Sequence, residues 1–499
     1  MSQTYGFSRR LGRWLETFGF IDDPFALYEA DQERALLHFF FIDRPYVHDV
    51  LGDPSRPQAA FLMAGRGAGK TATREIVAYE CTHTRFRRRA LAVRYYDFSP
   101  ILSQVEGNLD TIDVRHHVRL ITRYTLKALA EDVPPTYFDL LTPRERGLLV
   151  SCARAFADPI SALALGEILS DEAIPLDWET FTPLETLNTV AQLVTRLGQS
   201  PDARYEALYI LVDRVDETLA GPSAAIPLLA PLVSQGPLLE TAHVAFKFFL
   251  PIEVGARLRQ VVTLRPDRLR FQTITWDEQS LRKMVKERLI YYSDERVSRL
   301  EDLCLSSIKS SVMERLIRFS RASEGSPRTL LRLCQSLIHH HVAQADPTNP
   351  LITYTDLIDT LRDFEHQLEA ERTIPPLTKT DRTAPTSRAA ATAAAPQEGL
   401  YLDESGHVWV DGQSLTSVLS PNEFRLLETL YKSAPEIVTH QALIEAIWSS
   451  PNWVADEKAR EMDEQNLRKL IARLRERLPG GQTRFIKNVR GRGYWLKTA

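Results

Sequence analysis

A short glycine-rich segment, residues 64–71, combines the residue types and the spacing that phosphate binding requires. It reads Ala-Gly-Arg-Gly-Ala-Gly-Lys-Thr and fits the P-loop pattern, with alanine in place of the first glycine. Small residues let backbone N–H groups converge on phosphate oxygens, and a following helix adds its positive dipole end. Lys70 would neutralise phosphate charge, and the Thr71 hydroxyl would ligate Mg²⁺.

We therefore expect ATP and Mg²⁺ as cofactors of this loop. The nucleotide would be held by Ala64, Gly65, Arg66, Gly67, Ala68, Gly69, Lys70 and Thr71. The alternative is a glycine-rich turn that binds no ligand.

An acidic cluster follows a second apolar stretch, as a P-loop requires for its metal. The stretch 209–212 reads Tyr-Ile-Leu-Val and ends at Asp213, the pattern of a Walker B strand whose carboxylate holds Mg²⁺ directly or through water. Glu217 is our first choice for the carboxylate that polarises an attacking water, and Asp216 is the second. The competing interpretation of Glu217 is a loop carboxylate that caps a helix.

The elements around these motifs predict an α/β fold. Five short apolar stretches have the character of strands: Ala59–Ala64, Ala90–Tyr96, Ala207–Val212, Val244–Leu250 and Phe271–Ile274. Strands separated by helices imply a parallel sheet that is covered on both faces. We expect a P-loop ATPase core at residues 1–275 with a helical insertion at about 115–197, and a helical lid at 276–373 with helices at 278–295, 296–319 and 326–344.

A change in composition separates the last fifth of the chain from the rest. Residues 374–398 hold seven Ala, five Thr and four Pro, and no aromatic residue. Such a stretch cannot bury enough apolar surface to offset its ordering entropy, so we expect a flexible linker. An alanine-rich helix at 389–395 is the competing interpretation. A separate small α+β domain is expected at 399–499.

The third helix of this small domain is expected to present a basic surface. Over about 463–478, leucine and isoleucine recur at helical spacing and leave polar and basic residues on the other faces. A hairpin that turns at 491–493 follows. Residues 465–499 hold ten Lys or Arg and one acidic residue, a balance of +9. A basic helix with an apolar back, followed by a basic hairpin, is typical of a winged helix-turn-helix that binds double-stranded DNA.

The expected DNA contacts fall into two groups. Base edges would be contacted by Gln465, Lys469 and Arg473. Phosphates would be contacted by Arg468, Arg475, Arg477, Arg490 and Arg492. For any one of these residues the alternative is a basic side chain that is merely solvated.

The composition of the whole chain excludes several classes of protein. The net charge of −4 over 499 residues hides the basic C-terminus, because the residues before 465 sum to −13. Four cysteines without C-x-x-C spacing argue against a disulfide scaffold and against a structural zinc site. No apolar run approaches the length of a membrane span, and the N-terminus lacks an apolar signal region. We therefore expect a cytoplasmic protein without membrane contact.

The central motifs resemble two related classes of P-loop ATPase. The spacing of Asp213, Asp216 and Glu217 resembles the Walker B arrangement of STAND ATPases, particularly the NACHT-like group. Gly325-Ser-Pro-Arg328 is similar to sensor 2 of AAA+ ATPases related to origin-recognition proteins, and to the Gly-x-Pro motif of STAND lids. Asp23-Pro-Phe25 resembles the adenine-side segment of the same AAA+ group. The resemblance covers about residues 20–345.

The resemblance implies roles for further residues. Pro24 and Phe25 would lie near adenine. Basic residues would serve as follows: Arg328 on the γ-phosphate from the lid, Lys247 as the polar sensor 1 residue, and Arg265 or Arg268 as an arginine finger toward a neighbouring subunit. Surface or structural salt bridges are the alternative for all four. The resemblance also implies a homo-oligomer on nucleotide binding, although the sequence lacks the long repeat sensors usual in STAND proteins.

The small C-terminal domain resembles the OmpR/PhoB-type DNA-binding domain of response regulators. The resemblance is carried by Leu419–Phe424, Leu443–Trp448, Leu467–Leu478 and Asn488–Tyr494. It implies transcription regulation by binding direct repeats in DNA. In that family the domain normally follows a phosphorylated receiver domain, whereas here a predicted ATPase takes that place.

Together the motifs favour an ATP-binding and ATP-hydrolysing transcription regulator that is switched by nucleotide. The first alternative is a DNA-associated ATPase of anti-phage defence, transposition or DNA loading, in which the winged helix only anchors the protein. The second is an inactive P-loop that holds nucleotide structurally.

Overall fold

The chain folds into two compact units, each described here by itself. The core unit comprises Glu29–Asp277 and Ser326–Arg328, and the helical unit comprises Met1–Tyr28, Glu278–Gly325 and Thr329–Ala499. The computed structural model describes residues 2–34, 36–83, 89–169, 173–201, 203–218, 220–262, 268–323, 326–344, 349–373, 399–402, 408–410, 413–414, 421–434, 436–448, 467–475, 478, 484–489 and 493–497. The predicted linker 374–398 lies outside these residues.

The regular elements can be given in chain order. The strands are β1 (Ala60–Ala64), β2 (Arg89–Tyr95), β3 (Tyr205–Val212), β4 (Val244–Pro251), β5 (Arg270–Thr273), β6 (Leu400–Leu402), β7 (Val408–Val410), β8 (Gln413–Ser414), β9 (Ile486–Val489) and β10 (Gly493–Leu496). The helices are α1 (Ser2–Thr17), α2 (Leu37–Phe40), α3 (Pro45–Leu51), α4 (Lys70–His83), α5 (Ser99–Gln104), α6 (Val114–Asp132), α7 (Pro143–Phe156), α8 (Pro159–Leu169), α9 (Pro183–Val194), α10 (Ala225–Val233), α11 (Gly236–Leu239), α12 (Ile252–Val261), α13 (Glu278–Ser293), α14 (Val312–Ser323), α15 (Pro327–Gln344), α16 (Tyr354–Thr373), α17 (Pro421–Ser433), α18 (His440–Trp448) and α19 (467–475). Within the described residues, no helix is both long enough and apolar enough to cross a membrane.

A parallel sheet lies at the centre of the core unit. In the described part of the chain it has five strands in the order β2-β3-β4-β1-β5, and every neighbouring pair is parallel. The prediction of an α/β fold around a parallel sheet is therefore confirmed. The predicted strands agree with the observed ones to within about two residues, because continuous apolar runs are typical of parallel strands that are buried on both faces.

The helices between β2 and β3 begin at local signals in the sequence. Thr142-Pro-Arg-Glu145 and Thr182-Pro-Leu-Glu185 form capping boxes at the starts of α7 and α9. In both boxes the glutamate carboxylate accepts the threonine N–H at 2.8 Å. Apolar side chains of these helices are buried in the same hydrophobic core as β3, for example Leu126, Leu165 and Leu187.

The helical unit departs from the prediction in two places. Residues 1–28, which we had assigned to the ATPase core, cluster instead with the residues after Glu278. The predicted helix at 296–319 is wrong before residue 312, since α14 begins only at Val312. There Leu305 donates its N–H to the Ile352 carbonyl at 3.0 Å, and Ile352 donates to Leu303 at 2.9 Å. These backbone groups are therefore engaged in a short bridge and not in the α-helix that the sequence predicts there.

The C-terminal domain within the helical unit has its own hydrophobic core. Strands β6, β7 and β8 form an antiparallel sheet, and β9 and β10 form an antiparallel hairpin. The core packs Leu427 of α17, Ile444 of α18, and Leu470 and Leu474 of α19. At the hairpin, a Cβ on Gly493 would lie 2.0 Å from the Val438 carbonyl oxygen, so only glycine fits this position.

Candidate nucleotide site and winged-helix domain

The loop between β1 and α4 places its lysine at the carboxyl end of the sheet. β1 ends at Ala64 and α4 begins at Lys70. The Lys70 ammonium donates to the carbonyl oxygens of Ala64 and Gly65 at 3.2 and 3.1 Å, so the side chain folds back over the loop. This strand, loop and helix are the local structure that the P-loop pattern requires.

Gly67 is required by both its backbone and its surroundings. Its φ is +70°, a left-handed conformation that side-chain-bearing residues rarely adopt. A Cβ at this position would lie 2.9 Å from Ser326 Oγ and 3.2 Å from Arg328 Cβ. The Cβ of Arg328, a residue that we expected on the γ-phosphate, therefore lies next to the loop. Arg328 is half-buried there.

We expect Gly67→Ala to lower the free energy of unfolding by about 1–3 kcal/mol, because it combines backbone strain with a close contact. The matched control is Gly65→Ala. Gly65 does not have a positive φ, and nothing lies within 4 Å of the added Cβ. Urea denaturation should show the control within about 0.5 kcal/mol of the parent chain. Equal destabilisation by the two variants would contradict the assigned loop geometry.

Asp213 and Thr71 meet at the carboxyl edge of the sheet. The Thr71 hydroxyl donates to Asp213 Oδ2 at 3.0 Å, and the N–H of Arg214 donates to Asp213 Oδ1 at 2.9 Å. Burial raises the pKa of Asp213, opposed by Arg74, the Arg214 N–H and Thr71. A buried carboxylate beside a hydroxyl is an oxygen donor set of the kind Mg²⁺ takes. These residues therefore fit the metal that the sequence predicts.

A buried arginine, Arg74, joins Asp213 to two further carboxylates. Arg74 Nη1 lies 3.0 Å from Asp213 Oδ2, and Nη2 lies 2.6 Å from both Asp31 Oδ1 and Glu75 Oε1. The guanidinium also lies over the ring of Tyr96, 4.7 Å from its centroid. Sequence reasoning missed Arg74. The available signal was its position three residues after Thr71, which puts both on one face of α4.

Carboxylates surround the Lys70 ammonium. Burial lowers the pKa of Lys70, and Asp216, Asp213 and Glu217 oppose this in decreasing order, followed by Glu253. Glu253 was not predicted. It lies in the first turn of α12, directly after β4, and β4 separates β1 from β3 in the sheet.

The two candidates for the water-polarising carboxylate differ in exposure. Glu217 is exposed, and its Oε2 lies 3.7 Å from Nε of Arg214. Asp216 is half-buried and acts more strongly on Lys70. The two carboxylates thus differ in burial, and which of them polarises the attacking water stays a prediction.

A tryptophan outside the motif holds the loop from the side of β5. Trp276 Nε1 donates to the Ala68 carbonyl at 2.9 Å. The Arg44 guanidinium lies over the Trp276 ring, 5.2 Å away, and donates to the Thr275 carbonyl at 2.8 Å. Nothing in the local pattern around Trp276 predicts this contact, which depends on the pairing of β5 beside β1.

Lys247 does not lie where the sensor 1 interpretation needs it. It pairs in register with Ala60, at the start of β1, whereas the loop follows Ala64. Four residues of strand correspond to about 13 Å. The Lys247 ammonium is buried and donates to the Gln58 carbonyl at 2.8 Å. The interpretation of Lys247 as sensor 1 is therefore wrong, because counting along β4 did not fix the register of this residue against β1.

The remaining predicted residues around the nucleotide have these positions. Arg268 forms an exposed ion pair with Glu240, and Arg265 lies outside the described residues. Pro24 and Phe25 belong to the helical unit, where the Pro24 carbonyl accepts from Arg288 Nη1 at 3.1 Å and the Phe25 ring is fully buried. The proximity of Pro24 and Phe25 to adenine stays a prediction. The role of Arg265 or Arg268 as an arginine finger also stays a prediction.

The described basic residues of α19 have unlike environments. Arg468 is exposed, whereas Arg475 is half-buried and donates to the Ile486 carbonyl of the hairpin at 3.0 Å. The Lys469 ammonium lies 3.6 Å from Asp294 Oδ1. Arg473 is only 2% exposed. Arg473 Nη1 lies 3.3 Å from Oδ2 of Asp22 in the same unit, so this side chain is not open to solvent, and its base-edge contact stays a prediction. The predicted contacts Gln465, Arg477, Arg490 and Arg492 lie outside the described residues.

Helices α17 to α19, with a hairpin packed against them, define a winged helix-turn-helix. Residues 414–496 match the family model described as "Transcriptional regulatory protein, C terminal". The prediction of an OmpR/PhoB-type C-terminal domain is therefore confirmed.

Two curated relatives are similar to this part of the chain. They are the phosphate regulon transcriptional regulatory protein PhoB of Shigella dysenteriae and that of Escherichia coli K12. Each is 31% identical over 102 residues, which is 20% of this chain and 41% of the relative. The chain thus spans less than half the length of these relatives, and the similarity leaves the core unit unassigned.

Proposed function

We propose that this chain is a transcription regulator that binds double-stranded DNA through its C-terminal winged helix and is switched by ATP. The ATP would bind with Mg²⁺ at residues 64–71 of the core unit. The observation that carries the nucleotide part is the meeting of Thr71 and Asp213 at 3.0 Å beside Lys70. The regulator part is supported by the match of residues 414–496.

In this proposal the loop residues bind and orient the triphosphate. The backbone N–H groups of 65–71 and the start of α4 would hold phosphate oxygens. Lys70 would leave its contacts with the Ala64 and Gly65 carbonyls and turn to the phosphates, as a charge-assisted donor. Thr71 and Asp213 would hold Mg²⁺, which when bound neutralises phosphate charge.

Hydrolysis would use a carboxylate beside this centre. We place Asp216, the more buried of the two candidates, ahead of Glu217 as the group that accepts a proton from the attacking water. Arg328 starts beside Gly67 and would approach the γ-phosphate. A homo-oligomer formed with ATP, completed by an arginine from a neighbouring copy, is part of the same proposal.

We expect Lys70→Ala to weaken ATP binding by about 10- to 100-fold, since it removes a charge-assisted interaction in a half-buried site. Trp276 donates to the loop, so its fluorescence should change when nucleotide binds. The signal would be isolated by subtracting the response of Trp276→Phe. Lys127→Ala, which removes an exposed lysine of the same unit, is the control and should bind ATP normally. Unchanged ATP affinity in Lys70→Ala would overturn the nucleotide site.

The switch itself needs a DNA measurement. Affinity for duplex DNA would be compared with ATP, with ADP and without nucleotide, in the parent chain and in Lys70→Ala. Nucleotide-dependent affinity in the parent alone supports the regulator. Equal affinity in every case would reject the switch, and turnover stimulated by DNA of any sequence would favour an ATPase that the winged helix anchors.

A further inference from the structure

The face of α19 that should read DNA is covered within the helical unit. At 100° per residue, Lys469 and Arg473 lie one turn apart and away from the apolar stripe that contacts the core of their own domain. The Lys469 ammonium lies 3.6 Å from Asp294 Oδ1, and Arg473 Nη1 lies 3.3 Å from Asp22 Oδ2. Neither carboxylate belongs to the C-terminal domain.

The surface opposite α19 is built from two segments that are tied together. Asp22 follows α1, while Tyr292 and Asp294 lie at the end of α13. The N–H of Ile21 donates to the Tyr292 carbonyl at 2.8 Å and joins the two segments. The Arg473 guanidinium lies over the Tyr292 ring, 5.6 Å from its centroid. Two acidic groups and an aromatic face thus receive the two basic side chains.

A competing anion can break the contact between Arg473 and Asp22. The side chain is fully buried and remains charged, yet none of its three guanidinium nitrogens forms a hydrogen bond with a described residue. Its charge is balanced by Asp22 and by the field of Glu423 in α17. A buried charge without hydrogen bonds recovers little of its desolvation cost. Phosphate and base-edge acceptors of DNA would satisfy these donors better.

We propose that Asp22, Tyr292 and Asp294 form a docking surface for α19 that holds the winged helix in a state unable to read DNA. The inference rests on the proposed DNA binding of this domain. DNA and the docking surface then compete for Arg473 and Lys469, so any event that separates α19 from Asp22 activates the reader.

The test compares three variants of the full chain that each remove one acidic charge. Asp22→Asn leaves Arg473 buried without its carboxylate and should release α19. Asp294→Asn loosens only the half-exposed Lys469 pair. Glu295→Gln is the matched control, because Glu295 is exposed next to Asp294 and forms no ion pair with another described residue. All three raise the net charge equally, so general attraction to DNA is matched.

Two measurements separate docking from DNA binding. Without DNA, hydrogen exchange should speed up in residues 467–475 and at the Ile21 amide in Asp22→Asn but not in Glu295→Gln. With a fluorescent mixed-sequence duplex, anisotropy should show about tenfold tighter binding for Asp22→Asn. We expect Asp294→Asn to bind DNA about twofold more tightly, because it removes only an exposed ion pair, and we expect the control to bind DNA with unchanged affinity.

Each outcome decides between the parts of the proposal. Unchanged exchange in both Asp22→Asn and Asp294→Asn would overturn the docking surface. Faster exchange with measurable but equal DNA affinity in all variants would overturn the claim that docking blocks DNA. Faster exchange with no DNA binding by any variant would overturn the proposed DNA function and leave the docking surface standing. If Asp22→Asn unfolds, Asp294→Asn supplies the same comparison at a half-exposed position.

Discussion

Replacing Arg74 with methionine is expected to lower the free energy of unfolding by about 3–5 kcal/mol, the usual cost of removing one partner from a buried ionic cluster. Arg74 is fully buried and lies within 3.0 Å of the carboxylates of Asp31, Glu75 and Asp213. Methionine keeps much of the side-chain volume, so the loss reports the charge and its hydrogen bonds more than packing.

The position of the cluster makes this loss a functional one as well. Arg74 and Thr71 contact the same oxygen of Asp213. Without Arg74, that carboxylate and its neighbours repel one another, and Thr71 loses a fixed partner. We therefore expect ATP binding at the proposed site to fall together with stability. The loss of stability should shrink as the pH is lowered, because the freed carboxylates then take up protons.

Arg34→Met is the matched control for Arg74→Met. Arg34 pairs with the same Glu75, 3.2 Å away, but its side chain is 52% exposed. An exposed pair contributes about 0–1 kcal/mol, so the control should unfold close to the parent chain. Urea denaturation at neutral and mildly acidic pH would compare the two. A loss in Arg34→Met equal to that in Arg74→Met would show that burial of the arginine does not set the effect.

The sheet was predictable because its strands are continuous apolar runs. β1, β3 and β4 are buried along nearly their whole length, and each was recognised within about two residues. Residues 296–311 were misassigned as helix because the hydrogen bonds between Leu303, Leu305 and Ile352 join segments far apart in sequence. Local periodicity carries no information about such a bridge.

The candidate nucleotide site was predictable only as far as its motifs extend. The Thr71 and Asp213 contact follows from two patterns that each end a strand. Arg74 and Trp276 were missed, since their roles depend on partners from other elements. The sensor 1 interpretation of Lys247 failed for a related reason. The sequence locates a residue on a strand, but the register of the neighbouring strands decides how far that residue lies from the carboxyl edge of the sheet.

Helix α19 shows the same limit at the level of whole domains. The helical spacing of α19 correctly separates its apolar stripe from Lys469 and Arg473. Spacing cannot show that another segment of the unit covers the polar side. A residue that looks solvent-facing within one domain can therefore be buried by an intramolecular contact, as Arg473 is beside Asp22.

The misassigned lysine gives a prediction with a defined pH window. Burial lowers the pKa of Lys247 to about 7, against an ordinary value of 10.5. Between these values the unfolded chain binds a proton that the folded chain does not, so stability rises with pH across the window. Below about pH 7 the folded chain carries the full cost of burying the charged Lys247 ammonium. At about 1.4 kcal/mol per pKa unit, this cost reaches roughly 4–5 kcal/mol.

Lys247→Met should remove this pH dependence. Methionine has a similar volume, and its main cost is the lost hydrogen bond to the Gln58 carbonyl, about 1 kcal/mol. The variant is therefore expected to be more stable than the parent by about 1–3 kcal/mol at pH 7, and no more stable at pH 10. Lys127→Met, at an exposed lysine of the same unit, should leave the pH dependence intact. The measurement is a set of denaturation curves for the three proteins across this pH range. An equal shift in the stability of Lys247→Met at every pH would contradict the argument. A packing effect does not depend on pH, whereas the effect of a buried titrating amine must.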